Sequence, residues 1–359
     1  MAKQGKRTKI ALVGYKLANG GLERIFSNVS ELLHHSNCYV HLIVLEDKIE
    51  YPYHGTLINL GHYSKFKKYF KLKQHLKINQ FDYIIDFRYR INPWMELLFI
   101  HYMYVGFKFI YTIHSSKLDV YLTPVNWIGQ QMLNKAYKIV AVSNALNEKI
   151  KAKYHYEKAV VITNSISVKA IEMECVDSKL SFKYCIAVGR LVKLKQFDKL
   201  IETYSKSNLP NREIHLVILG EGEEKEHLEK QIEYLQMTGF IHLLGFKDTA
   251  LCYIREAQFL VLSSKYEGFS MVILEALSSG IPVISFDCET GPSELVQNEY
   301  NGLLVENQNF EALQEAFERM VDDSQLYYLC KENAKASVNS FSNENSIEKW
   351  LNLLNHNII

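Results

Sequence analysis

Residues 263–283 read SSKYEGFSMVILEALSSGIPV, and this stretch decides the fold. Glu267 falls in a Gly-containing turn, Ser270 at a helix N-cap and Glu275 inside an apolar helix that closes at Gly280 before Pro282. The unpaired N–H groups of Ser270, Met271 and Val272 are expected to point at a phosphate, with the helix dipole adding a favourable field. Glu275, one turn in, is placed to accept hydrogen bonds from ribose hydroxyls. Glu267, ahead of the helix, is placed to do the same for a sugar ring. Together these features suggest a nucleotide-sugar site, although two such glutamates alone are usually a solvated helix face.

Outward from this stretch, strand-like runs alternate with helical ones. Tyr184–Val188, His215–Leu219, Ile241–Leu244, Phe259–Leu262, Pro282–Ser285 and Gly302–Val305 read as strands, with helices at Lys195–Ser207, Glu223–Gln236, Met271–Ser279 and Phe310–Asp322. The N-terminal half repeats the pattern: strands Lys9–Val13, Val40–Leu45, Tyr83–Phe87, Phe109–Thr112, Ile139–Val142 and Val160–Thr163, with helices such as Gly21–His34 and Asn126–Lys135. An irregular segment around 165–181 separates the two series. Buried strands separated by helices mean parallel sheets, which bind ligands beyond the strands' C-terminal ends. The 359 residues suit two such α/β domains of about 170 residues each. We expect one over 1–166, a second over 167–341, and an amphipathic helix in 342–359.

The first strand of the second domain leads into Gly189-Arg190-Leu191 and then Lys195. A guanidinium and an ammonium at the mouth of a parallel sheet can clamp a diphosphate and stabilise charge developing on a leaving group. The bland alternative is a surface Arg and Lys opening an ordinary helix, and nearby Lys193 shows how common Lys is here. Gly220-Glu221-Gly222 also follows a strand, but Lys225 stands where a dinucleotide fingerprint requires its third glycine, which argues against NAD. In the first domain, Gly20-Gly21 opens a helix and would let a phosphate or sugar approach the backbone. His114 follows a strand in Thr-Ile-His-Ser-Ser; a lone His is more often a satisfied core or surface residue.

Together, Gly189-Arg190, Lys195, Glu267 through Ser270, Glu275-Ala276 and Gly280 through Val283 resemble the signature of retaining glycosyltransferases of family 4. These have the GT-B fold, two Rossmann-like domains with parallel sheets facing across a cleft. The resemblance is strong over 184–305, modest over 9–30 and 109–166, and almost absent over 46–108, where an acceptor would be recognised. It implies that Arg190 and Lys195 hold a diphosphate, that Glu267 and the Phe269–Val272 backbone position the sugar, and that Glu275 binds ribose. It further places Gly20 and Gly21 in a glycine loop, Gly222 near the base, the final helix against the first domain, and His114 on the donor sugar; the turn at Leu244-Gly245-Phe246, whose backbone groups can read a pyrimidine edge, is a further base-pocket candidate. Ser143, Asn144 and Asn164 resemble positions near the cleft. Two departures stand out: Gln196 follows Lys195 where glycine is usual, and Thr163-Asn164-Ser165 replaces Pro-Asn-Gly.

A net charge of +1 hides an asymmetry. Residues 1–170 carry 24 Lys and Arg against 11 Asp and Glu, whereas 171–359 carry 17 against 29, so the first half is the one suited to an anionic partner. Within it, residues 64–77, SKFKKYFKLKQHLK, contain six lysines and no acid, with Phe66, Tyr69, Phe70, Leu72 and Leu76 expected along one helical face. Such a helix, Lys65 to Lys77, can rest on an anionic membrane, worth roughly 5 to 6 kcal/mol from half the ideal sum of its lysines plus partial burial of its aromatics. The alternative is a solvated helix whose apolar face is core. No nucleic-acid-binding module is visible. The start MAKQGKRTKIALVGY does not read as a signal peptide, and the six cysteines are scattered without CxxC spacing, which suggests a reducing cytoplasm and no zinc site.

The expected protein is a cytoplasmic glycosyltransferase, peripheral on the inner face of the membrane. It would use a UDP-sugar to extend a lipid-linked glycan in bacterial surface-polysaccharide synthesis, without cofactor or metal. The run Ser285–Val296 resembles enzymes of that kind. The alternatives are a GT-B sugar-nucleotide epimerase or hydrolase, and an inactive nucleotide-binding scaffold.

Overall fold

The computed structural model describes residues 7–18, 20–166 and 179–354. The chain divides into two units, one comprising Met1–Asn164 and Asn343–Ile359, the other Ser165–Ser342. Asn19, most of the irregular segment and Asn355 lie outside the described residues.

The first unit is built on a seven-stranded sheet. Its strands are β1 (Lys9–Gly14), β2 (Tyr39–Val44), β3 (Thr56–Asn59), β4 (Tyr83–Asp86), β5 (Lys108–Ile113), β6 (Lys138–Ala141) and β7 (Ala159–Val161), in the order β3-β2-β1-β4-β5-β6-β7. All pairings are parallel, with Ile10 level with Val40 on one side and with Tyr83 on the other. Ile10 through Val13, Ile84, Ile85 and Ile110 are fully buried, as expected of strands covered on both faces. The helix Asn343–Leu353 belongs to this unit and packs against the helix Gly21–His35, burying Trp350 and Leu351.

The second unit has a six-stranded parallel sheet: β8 (Lys183–Val188), β9 (Ile214–Leu219), β10 (Ile241–Leu243), β11 (Leu260–Leu262), β12 (Val283–Asp287) and β13 (Gly302–Glu306), ordered β10-β9-β8-β11-β12-β13. Leu216, Ile218, Phe259, Ile284 and Phe286 meet Leu200, Phe317 and Met320 from the covering helices in one core. Full burial of each such side chain contributes about 1.5–3 kcal/mol.

Each sheet reverses its winding once, between β1 and β4 in the first unit and between β8 and β11 in the second. Loops leaving two neighbouring strands at such a point diverge to opposite faces and open a crevice for ligands. Among the described residues no helix is long and apolar enough to cross a membrane. Cys38, Cys185, Cys288 and Cys330 are buried free thiols.

Candidate functional site

In the second unit, the loops after β8 and β11 meet at the winding reversal. Lys195 Nζ donates to Glu267 Oε1 at 2.6 Å, with the two side chains only 18% and 13% exposed. Three further bonds hold the loops. Ser263 Oγ donates to the Lys195 carbonyl at 2.8 Å, Lys265 N donates to the Leu194 carbonyl at 3.0 Å, and Thr290 Oγ1 donates to the Glu267 carbonyl. A cation and a carboxylate are thus fixed side by side at the C-terminal edge of the sheet. Arg190, at the start of the same loop, is exposed.

Gln196 adopts a left-handed φ of 52°, a conformation glycine takes without penalty and other residues at a cost of about 1–2 kcal/mol. That explains why glycine is usual there. Here the side chain compensates by a reciprocal amide pair with Gln308 at 2.8 and 2.9 Å, and Lys195 keeps its place.

The helix after Glu267 runs Met271–Ser278 with Ser270 at its N-cap position, although the Ser270 hydroxyl makes no capping bond. Ser270, Phe269 and Glu275 are buried, while Met271 and Val272 are partly exposed. The first-turn N–H groups of such a helix have no intrahelical acceptor and favour an anion.

The loops after β9 and β10 close the same edge. Gly220 N donates to the Gly245 carbonyl and Leu191 N to the Glu221 carbonyl, both at 2.9 Å. A Cβ on Gly220, whose φ is 144°, would lie 1.8 Å from the Gly189 carbonyl oxygen, and one on Gly222 would lie 2.2 Å from that of Leu191. These glycines therefore let neighbouring loops interlock, whatever they do for a ligand. Phe246 follows Gly245 with its ring half exposed.

In the first unit, Gly20 and Gly21 open the helix Gly21–His35, and Gly20 N donates to the Tyr51 hydroxyl at 3.3 Å. His114 directly follows β5, packed on Phe87 and Tyr121 with ring centroids 5.7 and 6.0 Å away. Neither ring nitrogen has a hydrogen-bond partner among the described residues, although both are covered. Burial first, and then the Arg90 charge, push its pKa down to about 3, so the imidazole is neutral at physiological pH. Leaving a buried polar group unpaired costs about 1–3 kcal/mol, an arrangement that calls for an explanation such as a ligand. Ser143, by contrast, is spent on structure: its hydroxyl caps the helix Asn144–Tyr154 by accepting from Leu146 N at 3.2 Å. Asn164 is buried, and its amide nitrogen has no hydrogen-bond partner among the described residues.

Sequence reasoning missed an ionic cluster after β4. Arg88, fully buried, donates to Asp86 at 2.8 Å and to Glu96 at 3.0 Å, and its guanidinium lies 3.4 Å from the Phe99 ring centroid. Arg90, equally buried, donates to the carbonyls of Tyr121, Asp86 and Thr112. The alternating charges of Asp86-Phe-Arg88-Tyr-Arg90 directly after an apolar strand were the available signal. The cluster ties the β4 loop to β5 beside His114.

The lysine-rich helix, Lys65–Asn79, forms where expected, but its apolar residues do not share one face. Leu72 and Leu76 are buried and Tyr69 packs edge-on against Phe99, while Phe66 and Phe70 are 90% and 66% exposed. Lys73 is buried, donating to the carbonyls of Tyr102 and Met103, and Lys68 donates to the Leu45 carbonyl. Two of the six lysines are therefore committed to the fold.

Two family descriptions match the chain: Glycosyltransferase Family 4 over residues 19–169, and Glycosyl transferases group 1 over residues 170–337. The poly(ribitol-phosphate) α-N-acetylglucosaminyltransferase of Staphylococcus aureus is 26% identical over 62% of this chain and 44% of its own length. The chain thus spans less than half of that relative, and half of an uncharacterised Haemophilus influenzae glycosyltransferase. It matches 95% of the Campylobacter jejuni N-acetylgalactosamine-N,N'-diacetylbacillosaminyl-diphospho-undecaprenol 4-α-N-acetylgalactosaminyltransferase, at 26% identity over 93% of this chain. The crystal structure of Anabaena HepE in complex with UDP-glucose superposes with a TM-score of 0.80 at 17% identity, covering 97% of this chain and all of that one. With both family descriptions spanning 19–337 end to end and the two parallel sheets of the GT-B fold in place, this chain belongs to glycosyltransferase family 4.

Proposed function

We propose that this protein transfers a hexose or N-acetylhexosamine from a UDP-sugar to a glycan acceptor carried on a lipid, with retention of anomeric configuration, in the building of bacterial surface polysaccharide. The observation that carries the reading is the Lys195–Glu267 pair, held by main-chain bonds at the winding reversal next to the start of the Met271–Ser278 helix. Cationic and carboxylate groups adjoining a helix N-terminus match the mixed needs of a nucleotide sugar. The diphosphate wants positive charge and N–H donors, and the sugar and ribose hydroxyls want acceptors.

In this reading Lys195 and Arg190 hold the diphosphate, with the Phe269–Val272 backbone completing the anion site. Glu267 positions the sugar and Glu275 the ribose. As the bond from the anomeric carbon to the phosphate oxygen breaks, the acceptor hydroxyl attacks on the same face. Its proton passes to the departing phosphate oxygen, leaving glycoside and UDP. The ammonium and guanidinium stabilise charge on the leaving group, a role a divalent ion would otherwise serve. The uridine preference is supported by similar structures solved with UDP and with UDP-glucose, and the N-acetylhexosamine by the sugars that two relatives are named for transferring.

The lipid-linked acceptor and peripheral membrane position rest on the exposed side of Lys65–Asn79. Lys65, Phe66, Lys67, Phe70 and Lys77 remain exposed there. Lys73 links this helix to Tyr102, which is also exposed, its ammonium lying 5.2 Å from that ring. Three exposed lysines give about 3 kcal/mol near an anionic surface, and partial burial of two phenylalanines about 2 more. That is reversible docking rather than stable anchoring.

Binding calorimetry with UDP, ADP and GDP tests the donor site. UDP is expected to bind more tightly than either purine nucleotide and to weaken in Arg190→Ala. Equal affinity for all three would reject the uridine assignment, and no binding would reject the site.

A further inference from the structure

From the far end of the first helix, we propose a second, unrelated site: a divalent transition-metal site, fitted to Zn²⁺, formed by Glu31, His35 and His54. The ligand atoms these three residues offer lie within 4.8 Å of one another, and among the described residues no other group of three His, Cys, Asp or Glu side chains converges in this way. Glu31 and His35 are four residues apart on the helix Gly21–His35, so both project from one face of its last turns. His54 arrives from the connection between β2 and β3.

The scaffold holding His54 is built rather than incidental. Ser30 Oγ accepts from His54 N at 3.2 Å, and Ser27 Oγ donates to the Pro52 carbonyl at 2.5 Å, so two hydroxyls of the same helix pin the segment on both sides of Tyr53. Gly55 then turns the chain with a φ of 106°, where a Cβ would lie 2.3 Å from the Val40 carbonyl oxygen. The turn returns the chain to β3 and leaves the His54 ring against the helix, its centroid 5.2 Å from that of His35. Glu31 and His54 are partly buried and His35 is exposed. Metal can therefore enter from solvent, with a fourth position for water.

The chemistry selects the ion class. Two imidazoles and one carboxylate suit Zn²⁺ and its neighbours, whereas Ca²⁺ and Mg²⁺ favour all-oxygen sets. The last turn of a long helix also favours a cation. The other close histidine pairs, His41 with His75 and His215 with His242, point nitrogen at nitrogen at 3.2 and 3.0 Å and satisfy each other. The proposed ion clips the Gly21–His35 helix to the His54 segment and stabilises the first unit, far in sequence from Lys195 and Glu267.

The test uses untagged protein stripped with chelator and titrated with Zn²⁺, followed by calorimetry and thermal unfolding. Wild type is expected to bind one equivalent, with Tm rising as Zn²⁺ increases. His35→Gln and His54→Gln should weaken binding by more than the roughly 10- to 100-fold that loss of an outer-sphere partner costs. Glu31→Gln should weaken it too, and His34→Gln, which changes an adjacent ring outside the ligand set, should leave it near wild type. Co²⁺ loading should give tetrahedral d–d absorption in wild type that is lost in the His35→Gln/His54→Gln double variant. Circular dichroism and Tm in chelator establish that the variants fold. Absence of one-equivalent binding in wild type, binding undiminished in the folded double variant, or loss in His34→Gln alone overturns the proposal.

Discussion

Lys195→Ala is the substitution that probes the donor site most sharply, because Lys195 both pairs with Glu267 and is assigned to the leaving diphosphate. Two charges about 4 Å apart interact by roughly 4 kcal/mol at the effective dielectric typical of protein surfaces. Removing one preorganised donor to a developing oxyanion costs about 3–4 kcal/mol in measured cases. At about 1.4 kcal/mol per decade, turnover should fall by roughly 10²- to 10³-fold. The structural cost is separable. Glu267, mostly buried, loses the ammonium 2.6 Å away, worth about 1–3 kcal/mol of stability and a Tm drop of a few degrees for a unit of this size. Initial rates of UDP release from saturating UDP-sugar and acceptor, with a thermal melt in parallel, measure both. Lys195→Arg keeps the charge and should lose less. A folded Lys195→Ala variant within about threefold of wild-type turnover would refute the assignment, since no oxyanion partner is that dispensable.

Glu267→Gln should impair transfer more than UDP affinity, and Glu275→Gln should weaken UDP itself; calorimetry with UDP showing equal losses would reject that division. His114 is neutral in the folded protein down to about pH 3, while the unfolded chain takes up its proton near pH 6.5. The associated stability is therefore complete above pH 6.5 and is lost as pH falls towards 3. Between pH 6.5 and 5 urea unfolding of wild type should lose about 2 kcal/mol more than that of His114→Phe, and equal losses would contradict the buried neutral imidazole. Replacing Lys65, Lys67 and Lys77 with Glu should abolish salt-sensitive sedimentation with anionic vesicles while sparing UDP binding, and unchanged sedimentation would make this helix an ordinary solvated face.

The second unit was largely legible because its strands are short apolar runs covered on both faces, so periodicity and burial agree. Ile284 in β12 shows it, as do the start of the helix Met271–Ser278 and both ends of Phe310–Asp322. β3 was not legible: Thr56–Asn59 is a half-buried edge strand whose Thr and Asn dilute the apolar signal. The lysine-rich helix was placed correctly but its inward side misjudged, because Lys73 can bury its stem while its ammonium meets two carbonyls. Nor can local sequence say that Arg88 and Arg90 are buried, since Arg88 needs Glu96, and Arg90 needs carbonyls of Thr112 and Tyr121, all brought near only by the sheet. At the candidate site the residue types were visible from spacing. The pairing of Lys195 with Glu267, across 72 residues, was not.

The central claim is transfer of sugar from a UDP-sugar to a lipid-borne acceptor through the Lys195–Glu267 site. Its most direct test is mass spectrometry of the lipid fraction after the enzyme is incubated with a panel of UDP-sugars and bacterial membrane extract, with UDP quantified in the same samples. The account predicts that one UDP-sugar yields a lipid heavier by a single hexose or N-acetylhexosamine, with equimolar UDP, and that Lys195→Ala yields neither. Release of free sugar or an epimerised nucleotide with no lipid product would contradict it, as would a lipid product formed equally by Lys195→Ala.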